Sequence, residues 1–92
     1  MIRSFKDRRT RRFFAGQRIP AFHGFSDQAV RRLTLLDSAE MLGDLAALPS
    51  NRLEVLRGDR AGQHSIRINA QWRICFRWTD EGPSEVEIVD YH

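Results

Sequence analysis

The chain has one cysteine, one lysine and three prolines in 92 residues, and its apolar residues never gather into a long run. Each scarcity excludes something. Cys75 has no partner for an intramolecular bridge, so stability must come from packing, and a lone thiol suits a reducing compartment. No segment approaches the ~20 consecutive apolar residues that cross a bilayer. The opening MIRSFKDRRTRR also lacks the apolar stretch of a secretory signal. The expected location is the cytoplasm, with no membrane contact. His23, His64 and His92 are widely separated, no pair has zinc-ligand spacing, and no phosphate-binding glycine loop, dinucleotide fingerprint or nucleophile elbow occurs. No metal and no cofactor are expected.

What is present is enough for one core. Hydrophobic residues make up 41% and aromatics 10%, outside the range of a disordered chain, and the length allows one domain covering residues 1–92. The charge is +3, and arginine supplies fourteen of the fifteen Lys and Arg residues. Arginine makes planar, two-pronged contacts with phosphate that lysine does not. Residues 1–25 carry seven basic groups against one acid, residues 51–77 six against two, and residues 78–92 five acids with no Lys or Arg. This asymmetry predicts a basic binding face, with RNA as the expected partner, and a separate acidic strand.

Hydrophobic spacing changes once along the chain. Ile2 to Phe5 alternates as a short strand does, and Lys6 to Ala15 has helix-forming composition and ends at Gly16. Residues 17–26 read as a loop, after which Ser26 or Asp27 can cap a helix with the stripe Val30, Leu33 and Leu36, and Ala29 alongside. Leu42, Leu45 and Leu48 continue the pattern to Pro49, as a helical hairpin or one bent helix. From Leu53 the period becomes two, through Val55, His64, Ile66, Ile68, Trp72, Ile74, Phe76, Trp78, Val86 and Ile88. Turns at Gly58-Asp59, Ala61-Gly62, 69–71 and Glu81-Gly82-Pro83 make this half an antiparallel meander. The expected fold is α+β.

Strand alternation places Arg73, Cys75 and Arg77 opposite Ile74 and Phe76, so with Arg57, Arg60 and Arg67 one sheet face becomes a basic groove. Any one of these arginines taken alone is better read as part of a solvated face, and only the set together favours the groove. The chain ends Asp90-Tyr91-His92, an acid, a phenol and an imidazole at a strand end within reach of such a groove. A frayed terminal tripeptide is the competing reading. Trp72 and Trp78 can stack on bases, although strand spacing favours a place in the core.

Three segments together carry a resemblance: a start of the form Met-Ile-x-Ser-Phe, the stretch LRGDRAGQHSIRINAQWRICFRW and the terminus VEIVDYH. They resemble the HigB toxins, a branch of the RelE-like toxins of bacterial type II toxin–antitoxin modules, over essentially the whole chain. The resemblance implies a compact RelE-like fold, a short N-terminal strand and two to three helices on a mostly antiparallel sheet. It implies a metal-independent endoribonuclease that cleaves mRNA in the ribosomal A site and so inhibits translation. It also implies a HigA-like helix-turn-helix antitoxin as partner, with operator DNA reached only through that antitoxin.

By position, the family's acid, phenol and imidazole fall on Asp90, Tyr91 and His92, and the arginine that meets the scissile phosphate falls on Arg73. Arg57 stands where a lysine usually contacts RNA, and Arg60, Arg67, Arg77, Lys6 and Arg9 complete the expected RNA-binding set. Glu54 departs from the pattern, because relatives carry histidine there. A glutamate acts as a base where its surroundings raise its pKa, and a basic groove works the other way. Glu54 is therefore expected to orient His92 or an arginine, or to pair with Arg52 or Arg57. Two other functions remain open: a gyrase poison of the same fold, and a ribosome- or RNA-binding module without chemistry.

Overall fold

The structure, a computed structural model, describes residues 1–91; His92 lies outside the described residues. Helix α1 (Arg8–Phe14) starts where Asp7 Oδ1 accepts from the Thr10 amide at 3.0 Å, so the cap falls inside the expected helix and leaves Lys6 ahead of it. Arg11 and Arg12 lie in its last turn, where cations meet the negative end of the helix dipole. The expected loop at 17–26 contains a 3-10 turn, Pro20–Phe25, which drives Phe22 into the core.

Helix α2 (Ser26–Ser38) follows this turn directly. Phe25 occupies the cap position with no side-chain hydrogen bond, so neither Ser26 nor Asp27 caps the helix. Its buried stripe is Ala29, Leu33 and Leu36, while Val30 is exposed. Steps of four and three track a 3.6-residue period, whereas two steps of three drift off it. Ala39 turns extended at ψ 132°, ending α2, and α3 (Leu42–Ala46) is a separate helix. The segment is therefore two helices and not one bent helix. Pro49–Asn51 forms a further 3-10 turn, closed by Arg52 in the left-handed region at φ 44°, ψ 55°.

The meander consists of β1 (Glu54–Val55), β2 (His64–Arg67), β3 (Trp72–Thr79) and β4 (Gly82–Asp90), in that spatial order and antiparallel throughout. The last turn is Asp80-Glu81; Gly82 and Pro83 already pair with Thr79 and Trp78. The inner face gives Ile66, Ile74, Phe76, Val86 and Ile88 to the core with Leu33, Leu36 and Phe22. Each such side chain stabilises the fold by about 1.5–3 kcal/mol. Trp72 packs on Phe22 and Phe25 with ring centroids 5.9 and 4.9 Å away, in the core role expected of it.

The expected N-terminal strand is an extended segment bridging β4 in parallel at Phe5 alone. It donates from Arg3 and Lys6 to the carbonyls of Pro83 and Val86 and accepts from Val86 at Ser4. Glu85, at φ 51°, lies in β4 between the Pro83 and Val86 contacts of this segment. One step further on, the Ile88 amide donates to the buried Thr10 Oγ1 at 3.1 Å. The N-terminal quarter thus covers an edge that would otherwise offer unpaired amides to another chain. Among the described residues no helix is long and apolar enough to cross a membrane.

Candidate nucleic-acid interface and active site

The helices cover one face of the sheet, and the register arranges the other. Glu54, Ser65, Cys75 and Glu87 form one row across β1 to β4, and Arg67, Arg73 and Val89 form the next. An open pocket of about 320 Å³ lies over the end of these rows, lined by Arg52, Glu54, Arg67, Asn69, Ala70, Arg73 and Tyr91. Three guanidinium groups face one carboxylate there, so the pocket suits an anion.

Arg73 is the fixed point. Only 8% exposed, it donates from Nε to the buried Ser65 Oγ at 2.8 Å and from Nη2 to the Arg52 carbonyl at 2.6 Å. The left-handed backbone of Arg52 ends the preceding turn at the point where its carbonyl meets Arg73. These acceptors are neutral and hold the guanidinium without cancelling its charge. Nη1 keeps one ionic contact, to Glu54 Oε1 at 3.8 Å, and Glu54 is half-exposed. Water screens that pair. Of the expected contacts of Glu54, the one to an arginine of the groove is present, to Arg73, in place of a pairing with Arg52 or Arg57.

Tyr91 lies against the same arginine, its ring centroid 5.8 Å from the guanidinium carbon, and its amide donates to the Gln71 carbonyl at 2.9 Å. Asp90 pairs in register with Trp72, on the opposite alternation from Arg73 and Val89, and Oδ2 accepts from Gln71 Nε2 at 2.9 Å. It does not line the pocket. The expected imidazole, His92, lies outside the described residues.

The expected RNA-binding cations divide. Arg67 lines the pocket. Arg57 is exposed at the start of the 3-10 turn Gly58–Arg60 and is not among the pocket's lining residues. Arg60 and Lys6 both turn to Glu87, at 2.9 and 3.9 Å. The Glu87 hydrogen bond raises the Arg60 pKa further. Arg77 pairs with Glu85 at 2.8 Å beyond a register shift after Cys75, which takes it off the regular row. Arg9 pairs with Asp7 and stacks over Phe22, 5.0 Å from the ring centroid. Cys75 is buried among these groups. Burial pushes its thiol pKa up, while nearby Arg60 and Arg73 pull against that.

Arg52, Ser65 and Asn69 were not singled out as site residues by sequence reasoning. Ser65 had a signal, since it shares strand alternation with Arg67. The carbonyl of Arg52 had none.

A small α+β protein with a buried arginine held by neutral acceptors beside an open pocket of three guanidinium groups and one carboxylate is, by fold and site, suited to an anionic ligand. Residues 3–92 match the family model described as RelE-like toxin of type II toxin-antitoxin system HigB. The chain belongs to that family and is a toxin of a type II toxin–antitoxin module, which implies an antitoxin partner. It is 36% identical over 84 residues to Toxin HigB-1 of Vibrio cholerae serotype O1, covering 87% of this chain and 86% of that protein. It is 33% identical over 95 residues to Endoribonuclease HigB of Proteus vulgaris, covering all of both.

Proposed function

We propose that the toxin is an endoribonuclease that cleaves mRNA on the ribosome, in the A site, and thereby stops translation. The carrying observation is Arg73, held by Ser65 and the Arg52 carbonyl and presented to an open pocket beside Tyr91. A preorganised guanidinium suits the charge that develops on phosphoryl oxygens during phosphodiester cleavage. The name of the Proteus vulgaris relative supports the same activity.

In this reading the 2′-hydroxyl of the RNA attacks the adjacent phosphorus. The bond to the 5′-oxygen of the next nucleotide breaks, leaving a 2′,3′-cyclic phosphate and a 5′-hydroxyl. His92 exchanges a proton with the sugar oxygens, Arg73 stabilises the pentavalent charge, and Tyr91 stacks on or positions the nucleotide. Asp90 orients His92, and Glu54 steadies Arg73. The ribosome presents the message, and a HigA-like antitoxin with a helix-turn-helix links the toxin to operator DNA.

The test is cleavage of a defined message on programmed ribosomes by wild type and His92→Gln, with fragment ends identified chemically. Wild type alone should cut, leaving a cyclic or 3′-phosphate, and a 2′-deoxy substitution at the scissile nucleotide should block it. Folded wild-type protein that binds ribosomes and leaves the message whole refutes the activity and favours a toxin that acts by binding.

A further inference from the structure

The Arg73 pocket does not end at Arg67. A second depression, lined by Gln28, Arg32, Ser50, Arg52, Arg67, Ile68, Asn69 and Ala70, shares four of its residues with the first. Together they form one trench from Tyr91 on the sheet to Arg32 on α2. Among the described residues, neither Arg67, Arg52 nor Arg32 pairs with a carboxylate.

Arg32 is held much as Arg73 is. Its Nη1 donates to Asn51 Oδ1 and to Ser50 Oγ, the latter at 3.3 Å. Asn51 is fully buried and donates from Nδ2 to the Leu45 carbonyl at 3.1 Å, so the acceptor that fixes Arg32 is itself fixed. These partners are neutral and the guanidinium keeps its charge. Ser50, Asn51 and Arg52 are consecutive, and the same short turn gives a backbone carbonyl to Arg73 and two side-chain oxygens to Arg32. One rigid element therefore orders a cation at each end of the trench.

We infer that the substrate site extends along this trench and that Arg32, with Arg52, takes a second backbone phosphate of the same RNA strand, away from the scissile one. The inference rests on the ribonuclease reading and adds a phosphate subsite to it. Two phosphates held by arginines that one turn supports fix the direction of the strand across Arg73, which a single contact leaves free.

The test is equilibrium binding of a fluorescent oligoribonucleotide, 2′-O-methylated so that it cannot be cut, over a range of salt concentrations. Each phosphate contact to a single strand contributes about 0.7 to the slope of log affinity against log salt. Arg32→Gln should flatten that slope by about 0.7 and weaken binding roughly threefold to tenfold at low salt. Arg52→Gln, whose exposed side chain leaves the Asn51 contacts in place, should act in the same direction. Arg31→Gln, on the exposed side of α2, should leave the slope unchanged.

Unchanged slopes for both Arg32→Gln and Arg52→Gln, beside a wild type that binds and cleaves, overturn the extension and leave the activity standing. The same unchanged slopes with weakened antitoxin binding overturn it in favour of an acidic protein segment. A wild type that neither binds the oligonucleotide nor cleaves message removes both readings.

Discussion

Replacing Ser65 with alanine isolates the positioning of Arg73 from its charge. Ser65 is fully buried, and its hydroxyl accepts from Arg73 Nε at 2.8 Å. Its loss leaves a buried cationic donor unmatched, while the Arg52 carbonyl still holds Nη2. A hydrogen bond to a charged group contributes about 1.5–3 kcal/mol, so stability should fall by about that amount. If the same bond fixes Arg73 as charge develops on phosphorus, an equal loss in the transition state slows cleavage by roughly 10- to 150-fold, at 1.36 kcal/mol per factor of ten. The assay is single-turnover cleavage on programmed ribosomes, paired with urea unfolding. Ile66→Val is the control: the adjacent side chain faces the core, and its truncation should cost about 0.5–1.5 kcal/mol without touching Arg73. Cleavage by Ser65→Ala within twofold of wild type refutes the reasoning, because Arg73 would then need no support from the strand.

Two further perturbations read other parts of the fold. Gly82 sits at φ 124°, and a Cβ there would stand 2.7 Å from the Met1 carbonyl oxygen, so Gly82→Ala meets backbone as well as strain. A loss of about 2 kcal/mol should lower the melting temperature by roughly 8–16 °C in a domain of this size; an unchanged melting curve refutes the close approach. The buried Cys75 thiol has its pKa raised above its ordinary 9.0, chiefly by burial. The folded state thus favours the neutral thiol. Its contribution is intact below the unfolded value and is lost as pH rises through the folded one. Above about pH 9 wild type should lose stability faster than Cys75→Ala, by up to about 1.4 kcal/mol per pH unit, in urea midpoints taken from pH 7 to 10. Parallel pH profiles contradict it.

Most of the architecture was legible because alternation and helical spacing are local. The inner face of the meander and the place of Trp72 in the core follow from which neighbours are apolar, whereas the break between α2 and α3 was left open because the apolar spacing runs on across it. That Arg67 and Arg73 share one face of the sheet was legible from strand alternation, and both line one pocket with Tyr91. It was not legible where three-dimensional pairing decides the role of a charge. Arg60, Lys6 and Arg77 are basic in sequence, yet Glu87 and Glu85 from the acidic last strand come across the sheet to meet them. Glu54 likewise finds Arg73, two strands away, in place of its sequence neighbours.

The carbonyl of Arg52 carries a consequence for genetics. A screen of side-chain substitutions cannot remove a main-chain oxygen, so alanine at position 52 would report only the exposed guanidinium and miss the hold on Arg73. Substitutions that reshape the turn, such as Asn51→Pro or a deletion at Ser50, would reach it while leaving Arg73 and Tyr91 themselves unaltered. Loss-of-toxicity alleles are therefore expected to cluster at 49–52 as well as among the chemical groups. A map drawn from alanine substitutions alone would miss what the main chain of this turn contributes.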